Sequence, residues 1–120
     1  MNKVVFPLDP ASPGTPDLPG IYLWLIAGEV AYVGKYTHGK RPLKAYARNV
    51  AGLLAGRLYH GGHGHYRDIH KALAAAVRDG QEIMVRIAEN VPDYAARSAR
   101  EAELIAEYRS AGLARCNATP

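Results

Sequence analysis

Cysteine occurs once in the 120 residues, at Cys116, so no internal disulfide and no cysteine-based metal cage can form. Long apolar runs are missing as well. None approaches the roughly 20 residues that a membrane span needs. The short apolar patch at the N-terminus gives way to prolines at once, which is not the pattern of a signal peptide. Acidic residues are scarce in one place: residues 35–71 hold eight Lys and Arg against the single acid Asp68, a local charge of +7. The remainder has seven bases and ten acids, a net of −3. Such a basic stretch suits a polyanion, although a solvated basic helix face has the same composition. At 13.0 kDa with 48% hydrophobic and 22% charged residues, the chain is expected to form one globular domain. A cytoplasmic protein with no membrane association is the expectation.

Prolines 7, 10, 13, 16 and 19 recur every third residue. Without amide donors and with fixed φ, this stretch predicts an extended arm (1–18) leading into a domain that fills 19–120. A proline-rich ligand for another protein is the alternative use of such an arm. Two runs of β-formers follow, 21–27 and 30–35, split by Gly28-Glu29, and predict an antiparallel hairpin. Pro42 suits a helix start, and Leu43, Ala47, Val50 and Leu54 fall at helical spacing to about 54. The stretch "YHGGHGHY" interrupts, and a second helix at 66–79 carries Ile69, Leu73 and Val77 on one stripe. "EIMVRIAE" alternates as a third strand at 82–89, and a last helix covers about 95–110. The fold class is therefore mixed α+β, a small, largely antiparallel three-stranded sheet flanked by helices in the order β-β-α-α-β-α.

The last helix places Glu101, Leu104, Ile105 and Tyr108 at i, i+3, i+4 and i+7, so a carboxylate shares a face with side chains expected to be buried. Ser98-x-x-Glu101 also has the spacing of a capping box, whereas Pro92-Asp93 offers an earlier start that puts Glu101 well inside the helix. Both alternatives stand on the sequence.

The stretch "GIYLWLIAGEVAYVG" contains the triplets Gly20-Ile21-Tyr22 and Tyr32-Val33-Gly34, the second followed by Lys35. Together with Glu101, Leu104-Ile105 and Asn117 in "EAELIAEYRSAGLARCN", these motifs resemble the GIY-YIG nuclease family over about residues 19–118. The resemblance implies a metal-dependent endonuclease that hydrolyses phosphodiester bonds of DNA. Glu101 would hold Mg²⁺ or Mn²⁺, hard ions suited to oxygen ligands. Tyr32 would act as base on the attacking water, Tyr22 as positioner of water or phosphate, and Lys35 would help to lower a phenol pKa. Asn117 would support the site from behind. An arginine would clamp the scissile phosphate. The family's usual position for it falls on Pro42, leaving Arg48 on the helix body, the preferred choice, or Arg41 at the helix mouth. The histidine of many relatives is absent at Ala45 and Gly52; His70 either substitutes for it or is a surface histidine. His60, His63 and His65 suggest a metal site but lack a fourth ligand.

Hairpin register is a test of this expectation. A two-residue loop at Gly28-Glu29 sends Tyr22 and Tyr32 to opposite faces of the sheet. A three-residue loop or a bulge brings them to one face as diagonal neighbours. Two other functions remain: a non-catalytic nucleic-acid-binding module of the same fold, and a small interaction protein recognised through its arm. A single-site nuclease that cuts both strands would need two copies, so a homodimer is a further expectation.

Overall fold

The computed structural model describes residues 4–38, 44–57 and 66–117. Its elements are β1 (Gly20–Ile26), β2 (Glu29–Tyr36), α1 (Tyr46–Leu54), α2 (Asp68–Arg78), β3 (Ile83–Asn90) and α3 (Tyr94–Ser110). The class and the β-β-α-α-β-α order are those expected. The sheet has the order β2-β1-β3, with β1 in the middle and antiparallel to both neighbours.

Because β1 is central it is covered on both faces, and its side chains alternate between two clusters. Tyr22 and Trp24 join Val85 and Ile87 of β3, Tyr46 and Val50 of α1, and Ile69, Leu73 and Ala74 of α2. Ile21, Leu23 and Leu25 join Val30, Val33, Leu104 of α3 and Ala114. The result is three layers, with α1 and α2 on one face and α3 on the other. Trp24 is fully buried, with Phe6 set edge-on at 5.1 Å and Tyr46 also at 5.1 Å. Truncating such a side chain costs about 3–5 kcal/mol.

Both sheet edges are covered, which prevents open-ended strand pairing. The proline-rich segment lies along β3 but is not the extended arm expected. It bridges Val85 at Leu8 and then passes through turns and bends over 10–18, where Ser12 N–H donates to Asp9 O and Leu18 N–H to Thr15 O. Val85 N–H donates to Pro7 O, Asp9 N–H to Val85 O, and Gly14 N–H to Ile87 O. Asp9 is buried and pairs with Arg86 at 2.7 Å. Phe6 is thus part of the core rather than of a free arm. On the other edge, residues 114–117 follow β2: Ala114 N–H donates to Val30 O and Cys116 N–H to Ala31 O.

The hairpin turns at Ala27-Gly28, both with positive φ (52° and 82°), which is the backbone of a two-residue type I′ turn. Alone, that turn would separate the tyrosines. A bulge between Trp24 and Leu25 changes the pairing: Leu25 faces Val30, but Trp24 faces Tyr32 and Tyr22 faces Gly34. The extra residue is Ala31, whose carbonyl is taken by Cys116. Tyr22 and Tyr32 therefore share a face.

Two expectations on the helices need correction. On α2 the buried stripe is Ile69, His70, Leu73, Ala74 and Ala76, while Val77 is 38% exposed. His70 is consequently no surface histidine: it is 1% exposed. On α1 the buried side is centred on Tyr46 and Val50. Arg41, Pro42, His60, His63 and His65 lie outside the described residues. Among the described residues no helix is long and apolar enough to cross a membrane.

Candidate active site

The glycines of the two triplets have steric reasons. A Cβ at Gly20 would strike the Glu89 carbonyl oxygen of β3, and one at Gly34 would strike Cζ and Oη of Tyr22. The Tyr22 ring thus lies flat across Gly34, a place only glycine leaves open. Its centroid is 6.2 Å from that of Tyr32 and 5.8 Å from that of Tyr46.

Four polar groups meet there. The Tyr22 and Tyr46 hydroxyls are 2.6 Å apart. Arg67, just before α2, donates from Nη2 to the Tyr46 hydroxyl oxygen at 2.7 Å and from Nη1 to the Tyr32 hydroxyl oxygen at 3.0 Å. Since the Tyr46 oxygen already accepts from a guanidinium, Tyr22 O–H is best placed to donate to it. The guanidinium carbon also lies 5.3 Å from the Tyr46 ring centroid and 5.5 Å from that of Tyr32, within cation–π range.

Burial dominates the electrostatics. It raises the Tyr22 phenol well above 10, with the neighbouring Tyr46 and Tyr32 adding to the effect, and it pushes Tyr46 up to about 12. Both phenols are neutral at pH 7. Partial burial works against the charge on Arg67, but the Tyr46 and Tyr32 oxygens outweigh it and hold the guanidinium protonated.

His70 supports this group from below. Its Nδ1 accepts the Arg67 backbone N–H at 3.1 Å, its ring lies 5.2 Å from Tyr46, and Nε2 is 3.4 Å from the Asn49 amide. Burial, then the Arg67 charge, lowers its pKa to about 4, so it is neutral and able to accept that bond.

A second group hangs on the far face and outer edge of β2. Lys35 Nζ donates to Ser98 Oγ of α3 at 2.9 Å. Glu101 is half-buried one turn further along. Burial raises its carboxyl pKa, while the Lys35 ammonium and the Lys35 backbone N–H draw it back down. The capping-box alternative is removed. Asp93 is the N-cap of α3 and accepts from Ala96 N–H at 2.8 Å, so Glu101 sits two turns inside the helix. Asn117 is buried and bonds both backbone groups of Val33: its Oδ1 accepts Val33 N–H at 2.9 Å, and its Nδ2 donates to Val33 O at 2.8 Å. It thereby completes the ladder of an edge strand between Tyr32 and Gly34. Strand geometry has period two, so Lys35 turns its backbone groups outward as Val33 does, toward Glu101.

The folded chain therefore brings Tyr22, Tyr32 and His70 together with Tyr46 and Arg67 on one face of the sheet, and Lys35, Glu101 and Asn117 to the far face and outer edge of β2. Arg48 is not among them. It is exposed on α1 with no hydrogen-bond or ion-pair partner among the described residues, because two residues along a helix from Tyr46 is about 200° around its axis. Arg67 and Tyr46 occupy the site instead. Tyr46 had a signal in its i, i+4 relation to buried Val50; Arg67 had none beyond its place in the basic stretch.

Among the described residues no three His, Cys, Asp or Glu come together as a metal cage. The donor set at Glu101 is one carboxylate beside solvent, which fits a hard ion that keeps most of its waters and takes substrate phosphate, and does not fit zinc. No family model, curated protein or solved structure matches the chain.

Proposed function

We propose that this protein is a metal-dependent endonuclease that hydrolyses phosphodiester bonds of DNA. The observation that carries the reading is the placement of Tyr22 and Tyr32 on one face by the bulge at Ala31, beside a strand edge that also faces Glu101. A hairpin of β-formers with no shared task is indifferent to that register. The basic stretch 35–71 supports a nucleic-acid substrate.

The two tyrosines take different roles. Tyr22 is 2% exposed and its hydroxyl is spent on Tyr46, so it is a positioning residue that fixes the phenol cluster over Gly34. Tyr32 is half-exposed, its oxygen faces a guanidinium, and it is the phenol that can orient or deprotonate a water. Glu101 would hold Mg²⁺ or Mn²⁺. When bound, such an ion lowers the pKa of water and neutralises charge on the phosphorane-like transition state. Lys35 holds the first turns of α3 through Ser98 and keeps positive charge beside the carboxylate. Asn117 holds Val33, and through it the adjacent Tyr32, in line.

Labelled single-stranded, duplex and branched DNA with Mg²⁺ or Mn²⁺ provides the test, comparing Tyr32→Phe with Tyr22→Phe. Loss of the proton acceptor is expected to reduce kcat by about 10²–10⁴ in Tyr32→Phe. Tyr22→Phe, which keeps the ring, should lose less. Equal and complete activity in both variants would remove the phenols from the chemistry.

A further inference from the structure

We propose that Arg67, presented at the start of α2, is the residue that grips the scissile phosphate, with Tyr32 and Tyr46 holding its guanidinium in place. The inference rests on the nuclease reading and assigns the role to a residue other than Arg48, which is exposed on α1 away from the phenols, and Arg41, which lies outside the described residues.

A phosphate clamp needs donors that are free, charged and rigid. Arg67 spends one N–H of each Nη on the phenol oxygens. The Nε–H and one further N–H on each Nη have no partner among the described residues, so a two-pronged grip on a phosphate remains available. Among the described residues, the other arginines packed against the sheet are already committed. Arg86 pairs with Asp9, and Arg100 pairs with Glu89 and Glu103. Arg97 is buried and donates to the Val91 and Pro92 carbonyl oxygens. No carboxylate forms a salt bridge with Arg67 among the described residues, so its charge is unneutralised.

Rigidity comes from the same contacts. A free arginine side chain loses about 2 kcal/mol of rotamer freedom when it is fixed. Here two hydrogen bonds, two aromatic rings and the His70 bond to its own backbone N–H have already fixed it. The placement also has chemical sense. The Tyr32 oxygen is 3.0 Å from Nη1, so a phosphate on the free side of the guanidinium lies next to the phenol that faces the attacking water. Lysine, a point charge with no fork, could not hold two phenols and a phosphate at once.

The experiment combines cleavage kinetics with binding of inorganic phosphate. Arg67→Gln is expected to reduce kcat by about 10²–10³, the usual loss on removing one transition-state donor, and Arg67→Lys to restore little of it. Arg78→Gln, at the far end of α2, is the control and should cut normally. Titration of the wild type with inorganic phosphate should move the Arg67 Nε–H NMR signal, with melting temperatures showing that the variants are folded. Arg67→Gln cutting at the wild-type rate while Arg41→Gln or Arg48→Gln is inactive would overturn the assignment. If the wild type cuts no DNA, the nuclease reading falls by itself. A phosphate-induced shift at Arg67 would then still support an anion site there, and its absence would overturn that as well.

Discussion

Acidification from pH 6.5 to 4 should weaken the fold through His70, the residue beneath the phenol–guanidinium group, and protonate it in the native state only near pH 4. In the native state His70 is neutral down to about pH 4, lowered from 6.5 by burial and by the Arg67 charge. In the unfolded chain it titrates near its ordinary value. Below 6.5 the unfolded state therefore binds one more proton than the native state, and native stability falls as the pH drops through this window. The interval corresponds to about 3 kcal/mol at roughly 1.4 kcal/mol per pH unit. Once protonated, Nδ1 becomes a donor and can no longer accept the Arg67 N–H. The comparison to make is wild type against His70→Phe in urea unfolding at pH 7, 6, 5 and 4, because carboxylates common to both proteins cancel in the difference. At pH 7 the variant should be less stable by about 1–3 kcal/mol, having left the Arg67 N–H unpaired. By pH 4 the difference should shift by about 3 kcal/mol in favour of the variant, closing or inverting the gap. A difference that stays flat with pH, or widens in acid, would refute the buried neutral histidine.

Gly34→Ala should be destabilising by about 1–3 kcal/mol, since its methyl must displace the Tyr22 ring; chemical unfolding and the near-ultraviolet tyrosine signal report both effects. Ala27→Asn should stabilise by about 1 kcal/mol and raise Tm by roughly 4 °C, because Asn suits the positive φ of the I′ turn better than Ala. Asn117→Ala should cost roughly 2–4 kcal/mol by leaving Val33 N–H and C=O unpaired at a buried edge. Asn117→Asp should be unstable at pH 7 and recover as the pH falls, because protonation removes a carboxylate charge facing the Val33 carbonyl.

Much of the fold is legible in local pattern. The hairpin strands, β3 and the last helix follow from runs of β-formers, period-two alternation and helical spacing, and each was expected within a residue or two. What the pattern leaves open is settled by distant partners. The hairpin register depends on a bulge at Ala31 whose carbonyl is claimed by Cys116, a contact across most of the chain. The role of Glu101 depends on which of two start signals opens α3, and Asp93 prevails because its side chain takes the Ala96 N–H. The proline-rich segment, expected to be extended, instead turns repeatedly as it docks on β3, and composition cannot say that its Phe6 completes the core. Arg67 is the least legible. Its position among the phenols arises from α2 packing beside α1 over one sheet face, and no spacing between Arg67 and Tyr22, Tyr32 or Tyr46 encodes that.

The most direct test of the nuclease account is cleavage of labelled DNA by the wild type and by Glu101→Gln, each with Mg²⁺ or Mn²⁺ and with the metal chelated. Burial disfavours the Glu101 charge, so the Gln variant should fold with a Tm at or above that of the wild type while losing metal-dependent cutting. Wild-type cutting that disappears with chelation and in Glu101→Gln is the predicted result. Equal cutting by both proteins, or binding of DNA with no cutting by the wild type on any substrate, would contradict the account; the latter would mark the chain as a nucleic-acid-binding module.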